Sequence, residues 1–231
     1  MKGFIIHLPK SNLSKNIALE AKAELENISI DTSLFIGCDR YNVWQEFIDN
    51  KFVINDITRF GGGYVDSEIA TFISHYKLWK RCVRLKHKIL IFEHDVKLLK
   101  NFDIKEINKF KGDLLNLGNP NWGNRVWGGS GIIKREICSN NHNLYRPQDG
   151  ECQCNSQWLF GAHAYLITPS GAKKLINSVK ENGILPADLF LRQEVLDIYD
   201  YLPHPFIQKE SFSLIQRNPI YKNQKVNEWD Y

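Results

Sequence analysis

The chain has 231 residues, 43% hydrophobic and 24% charged, and a net charge of +4 from 30 Lys and Arg against 26 Asp and Glu. That length supports one large α/β domain or two small ones with a buried core, and the mild basic excess excludes the dense charge of a nucleic-acid-binding face while allowing weak attraction to phosphate-bearing ligands or an anionic membrane. No apolar run reaches the roughly 20 residues that span a bilayer, Gly3 to Leu8 is too short for a secretion signal, and the five cysteines are an odd count for a disulfide framework.

The expected compartment is therefore the cytosol, or the inner face of a membrane. In chain order, Gly3 to Leu8 predicts a buried first strand, and a helix follows to about Glu26 with Ser14 as its cap. Thr32 to Ile36 predicts a second strand ending in the turn Gly37-Cys38-Asp39. After the break at Gly61-Gly62-Gly63, Ile69, Phe72, Ile73, Tyr76 and Val83 recur at helical spacing, with Asp66 or Ser67 as cap. Tyr76 and Trp79 are expected in the core. Lys88 to Phe92, Asp113 to Leu117 and Ala164 to Ile167 predict further strands. Helices are expected from Pro169 to about Lys180 and from Pro186-Ala187-Asp188.

Residues 119 to 157 look like loop and surface excursion. Cys138, His142, Cys152 and Cys154 lie there without paired CxxC spacing, so free thiols are expected, with a zinc site as the alternative. Gly128-Gly129-Ser130-Gly131 lacks the spacing and lysine of a phosphate loop. Trp122 and Trp127 could stack on sugar rings or pack in a core. Helices alternating with strands imply a mostly parallel sheet with crossover helices.

The residues with the most chemical content are Glu93-His94-Asp95, directly after Ile89-Leu90-Ile91-Phe92. Ligands of open α/β sheets bind beyond the carboxyl ends of the strands, and carboxylates there can hold a hard cation. Strand alternation would point Glu93 and Asp95 one way and His94 the other. A cation held so would offset the charge gathering on a departing diphosphate.

Four blocks give the sequence a resemblance to glycosyltransferase family 25, the lipopolysaccharide and collagen galactosyltransferase-like family. They are Phe4-Ile5-Ile6-His7-Leu8; Ser67-Glu68-Ile69-Ala70 through Ser74-His75-Tyr76-Lys77-Leu78-Trp79; Ile91-Phe92-Glu93-His94-Asp95-Val96; and Gly161-Ala162-His163-Ala164-Tyr165 through Pro169-Ser170-Gly171-Ala172-Lys173-Lys174-Leu175, continuing to Pro186-Ala187-Asp188. His94 stands where the family has a middle acid, Ala70-Thr71 replaces Gly-Cys, and Lys15-Asn16 stands where arginine is frequent.

The resemblance implies one GT-A type α/β domain over residues 1–215, with a Rossmann-like nucleotide-binding half, an acceptor half, and a polar tail at 216–231. It also implies an inverting, divalent-metal-assisted transfer, with Mn²⁺ or Mg²⁺, from a nucleotide sugar such as UDP-galactose to a glycan or other hydroxyl. Asp95 is the first expected metal ligand and Glu93 the second; His204 is either a third ligand or an ordinary loop histidine. Asp188 is the expected base on the acceptor hydroxyl. Leu8, Asp39, Glu68, His75 and Glu93 are the expected donor-side contacts, with local capping as the alternative for Glu68 and His75. His163 is expected to be a buried, satisfied side chain. The alternative to an enzyme is a carbohydrate- or nucleotide-sugar-binding protein of the same fold that lost its chemistry, with His94 as the trace.

Overall fold

A computed structural model describes residues 1–55, 65–119, 130–134, 159 and 162–209. The strands are β1 (Lys2–His7), β2 (Asp31–Ile36), β3 (Ile89–Glu93), β4 (Val96–Leu98), β5 (Leu114–Asn116), β6 (Gly131–Lys134), β7 (Ala164–Ile167), β8 (Ile198–Leu202) and β9 (Phe206–Gln208). The helices are α1 (Asn12–Asn27), α2 (Val43–Asp49), α3 (Val65–Leu85), α4 (Ile104–Lys109), α5 (Pro169–Asn182) and α6 (Ala187–Phe190).

Seven strands form one sheet in the order β2-β1-β3-β7-β5-β8-β6, and β4 pairs with β9 in a separate ribbon. The expectation of a mostly parallel sheet is corrected here: the sheet is mixed. β1 is parallel to β2 and β3, and β5 to β8, as helical crossovers require. β7, however, runs antiparallel to both β3 and β5, and β6 antiparallel to β8. Parallel pairing is forced only where a crossover returns the chain in the same direction. β7 enters the middle of the sheet against its neighbours.

The central strands are buried on both faces, so they read as continuous apolar runs. Alternate residues feed two cores. Phe4, Ile89, Ile91, Tyr165 and Ile167 pack with α3 and α5 on one face. Ile5, Leu90, Phe92, Ala164 and Leu166 pack with α1 and the β4/β9 ribbon on the other. The apolar stripe of α3 faces the first core, with Ile69, Phe72, Ile73, Tyr76 and Trp79 all buried there.

Helix starts follow local chemistry, with two corrections. Ser11, not Ser14, caps α1, accepting from the Ser14 amide at 3.2 Å. Ser14 instead turns its hydroxyl to the Leu8 amide at 3.0 Å, tying β1 to the helix. Asp66 and Ser67 do not cap α3; the helix already begins at Val65. Thr168 caps α5 by accepting from Gly171 N, and Pro169 follows at the first helical position. Gly183 ends α5 at φ 72°, a backbone state that a Cβ would strain, and its hypothetical Cβ would also lie 2.5 Å from the Val53 carbonyl.

Candidate functional site

Strand directions gather polar groups at one edge of the sheet. β1 and β3 both end there, with Ile6 opposite Glu93. β7 begins there, with Ala164 opposite Phe92, and the His163 carbonyl accepts from Glu93 N at 2.9 Å. β5 and β8 end there too, with Asn116 opposite Tyr165 and Asp200. His7, Glu93, His94, Asp95, Asn116, His163 and Asp200 thus come to one edge from five strands, the setting expected for a ligand site in an α/β sheet.

Glu93 and Asp95 have different surroundings. β3 ends at Glu93 and His94-Asp95 forms a turn, so strand alternation stops before Asp95 and does not set its direction. His75, fully buried on α3, places Nε2 3.3 Å from Glu93 Oε1 and Nδ1 2.8 Å from the Tyr165 hydroxyl. Burial alone would raise the Glu93 carboxyl, but the His75 hydrogen bond and the electrostatic pull of the His75, His163 and His94 rings outweigh it and hold Glu93 below the ordinary range. Asp95 is buried, with Oδ2 accepting from Gln208 Nε2 at 2.8 Å and its carbonyl from Lys209 N at 2.8 Å. Burial pushes its carboxyl above the ordinary value; His94 opposes the shift and Glu93 adds to it.

Three buried polar atoms here lack a hydrogen-bond partner among the described residues: Asp95 Oδ1, His94 Nε2 and His7 Nδ1. An unsatisfied buried group is costly unless a ligand completes it. Burial, then the neighbouring charges of His94 and Lys15, lowers the His7 imidazole. His163 is also buried, and its ring lies so close over Gly118 that a Cβ there would meet Nε2 at 2.5 Å.

Among the described residues no group of three or more His, Cys, Asp or Glu side chains is spaced to hold an ion, so Glu93, Asp95 and His204 do not form a preassembled three-ligand cage. His204 Nε2 instead lies 3.3 Å from Asp200 Oδ1 and 3.1 Å from Asn116 Nδ2, which itself donates to Asp200 Oδ1 at 2.8 Å. The oxygen set at Asp95 nevertheless suits a hard cation of the kind that takes one or two carboxylates and completes its shell with phosphate and water. Asp95 Oδ1 is an orphaned anionic donor, and a cation would reverse the penalty that burial places on its charge.

The remaining expected residues fall as follows. Leu8 is half-buried where β1 leaves the sheet, its amide held by Ser14. Asp39 is buried and closes its own turn, Oδ1 accepting from Tyr41 N and Asn42 N while Oδ2 pairs with Lys10 at 3.4 Å. Glu68 is half-buried in the first turn of α3. His75 is wholly buried behind Glu93, so it meets a ligand only through that residue. Asp188 lies in the single turn of α6, with Oδ1 accepting from Leu189 N at 3.0 Å; α6 is anchored where Phe190 stacks on Trp79 at 5.7 Å. Trp122, Trp127, Cys138, His142, Cys152, Cys154 and the tail lie outside the described residues.

Sequence reasoning missed Gln208, Tyr165, Asn116 and Asp200. Gln208 sits in a three-residue strand with no pattern of its own. Tyr165 was visible in the sequence as part of an apolar strand and of the fourth block, with nothing local to mark its hydroxyl as a partner of His75.

Comparison with known proteins follows the same residues. Residues 1–191 match the family described as "Glycosyltransferase family 25 (LPS biosynthesis protein)". A "Glycosyltransferase 25 family member" of Anopheles gambiae is 27% identical over 205 residues, covering 81% of this chain and 33% of that protein. An "Inactive glycosyltransferase 25 family member 3" of Homo sapiens is 29% identical over 137 residues, covering 54% of this chain and 20% of that protein. The chain therefore spans a third or less of the length of these curated relatives. A solved STIV protein overlaps 86% of the chain and 80% of its own at 13% identity and a TM-score of 0.36.

Proposed function

The chain belongs to glycosyltransferase family 25, and from that premise we propose that it moves a sugar from a nucleotide-diphosphate donor to a hydroxyl acceptor at the strand edge headed by Glu93 and Asp95. The observation that carries the reading is the buried Asp95, whose Oδ1 has no partner among the described residues, beside a Glu93 held below the ordinary carboxylate range with His75 against it. In this reading the fold is of the GT-A type, with β1 to β3 as the nucleotide half and the chain from β5 onward as the acceptor half.

Asp95, with Glu93 second, would hold a divalent cation, Mn²⁺ or Mg²⁺. Such a cation, when bound, offsets the charge on the departing diphosphate. Asp188 is assigned as the base. The acceptor oxygen attacks the anomeric carbon, the bond to the diphosphate oxygen breaks on the opposite face, and the hydroxyl proton passes to the Asp188 carboxylate. The Leu189 amide donates to Asp188 Oδ1 at 3.0 Å and so helps to orient the carboxyl. His204, bonded to Asp200 and Asn116, orients the ends of β5 and β8 instead of ligating the cation. UDP-galactose is the first donor to try, and the family's lipopolysaccharide label makes a glycolipid the first acceptor.

A second reading, binding without turnover, is favoured by His94 in the acidic triplet and by the relative named inactive. The experiment compares wild type with Asp95→Asn in UDP-galactose hydrolysis and transfer, with Mn²⁺ and with chelator. The transferase reading expects a loss on the order of a hundredfold or more in the variant. Donor binding without turnover across acceptors selects the second reading. Full activity in the variant, or in excess chelator, overturns the metal-assisted site.

A further inference from the structure

Behind Glu93 lies a buried relay that the proposed chemistry does not itself call for. Trp79, Tyr165 and His75 are all fully buried. The indole of Trp79 has only a proton to give, and Nε1 donates it to the Tyr165 hydroxyl at 3.0 Å. The hydroxyl keeps one proton of its own. Among the described residues its one recorded acceptor is His75 Nδ1, at 2.8 Å. A buried hydroxyl proton with no acceptor is strongly disfavoured, so the hydroxyl donates to Nδ1. Nδ1 is then an acceptor, and the ring proton of His75 sits on Nε2, 3.3 Å from Glu93 Oε1. The His75 and Tyr165 rings also stack, with centroids 5.7 Å apart at 20°.

We propose that Trp79 and Tyr165 are positioning residues: together they fix His75 as its Nε2–H tautomer, so that Glu93 is gripped through Oε1 and keeps Oε2 for a ligand. Glu93 Oε2 has no recorded partner among the described residues, and the Glu93 side chain stays 24% exposed while His75 is sealed at 0%. The direction of the relay matters. With the Nδ1–H tautomer, Nε2 would turn a lone pair toward the carboxylate, and the grip on Glu93 would become a repulsion. The identity of that ligand, a donor diphosphate with its cation, rests on the proposed transferase function; the tautomer does not.

The test starts with the unmodified chain. Nitrogen-15 histidine labelling and two-bond proton–nitrogen correlation spectra at one fixed neutral pH identify the His75 tautomer, with its peaks assigned by their loss in His75→Asn. Wild type is expected to show Nε2–H. Tyr165→Phe keeps the stacked ring but removes the hydroxyl, and it is expected to give mixed tautomers and faster exchange of the Trp79 indole proton. Binding of Mn²⁺ with UDP, followed by thermal shift, is expected to weaken about 10-fold in Tyr165→Phe, within the range for partners behind a metal ligand. Glu93→Gln should show the same loss, and the double variant should lose no more than either single one. An Nδ1–H tautomer in wild type, an unchanged tautomer in Tyr165→Phe, or losses that simply add overturns the proposal. If wild type neither binds nor turns over any nucleotide sugar, the transferase reading fails, and the tautomer spectra still decide whether the relay exists.

Discussion

Asp95 and Asp113 show how one side-chain type acquires opposite behaviour from its surroundings. Burial raises the Asp95 carboxyl, so Asp95 favours folding most when protonated, below the unfolded value of about 3.9, and that advantage is lost as pH rises through the native value. Asp95→Asn should consequently melt at or above the wild-type temperature at pH 7, by calorimetry, even as activity falls. Asp113 is buried between α5 and β8; Lys174 Nζ pairs with it, Ser170 Oγ donates at 2.7 Å and Asp197 N at 2.9 Å. Burial would raise its carboxyl, but these partners outweigh burial and lower it. Its contribution is therefore complete above about pH 4 and disappears as pH falls through the native value. Asp113→Asn should cost about 1–3 kcal/mol at pH 7 in denaturant unfolding, and the gap to wild type should narrow below about pH 4. The acids at 93 and 95 were legible in the sequence because they follow an apolar strand. Their unequal environments were not, because Gln208 and His75 reach them from distant parts of the chain.

At the scale of elements, the long helices and buried strands were the legible parts. α3 carries an apolar stripe over 21 residues, β3 and β7 are short runs with an apolar residue at nearly every position, and β1 is centred on Phe4-Ile5-Ile6. β8 escaped notice because its inward positions are Ile198, Asp200 and Leu202, and the buried aspartate breaks the pattern that marks an inward face. β4, β6 and β9 have three or four residues each, too few to show a period. α5 offers a direct check on local signals: Thr168→Ala removes the side chain that accepts from Gly171 N and should cost about 1 kcal/mol. Its hydroxyl also donates to the Asp113 carbonyl at 3.2 Å, which adds to the loss. Gly118→Ala is a check on packing at the site, since its Cβ would meet the His163 ring at 2.5 Å. It should displace His163 and lower both stability and donor binding, whereas a glycine at an open turn would tolerate alanine.

For the molecule as a whole, a ligand that binds only the folded state raises apparent stability by about 2.7 kcal/mol at a hundred times its Kd. Thermal denaturation should thus shift upward with UDP-sugar and Mn²⁺ together, and much less with either alone or in Asp95→Asn. Among the described residues no helix is long and apolar enough to cross a membrane. The sequence by itself determined the family, the alternation of helix and strand through the first three strands, and the acidic group at the end of β3, because each is written in residues close together along the chain. Only the tertiary structure decided that β7 enters the sheet antiparallel, that His204 turns to Asp200 and Asn116, and that Trp79, Tyr165 and His75 line up behind Glu93. Apart from the pair His204 and Asp200, which lie four residues apart, those outcomes depend on contacts between residues far apart in the chain, and the sheet's strand order, which no local periodicity encodes, sets which of them meet.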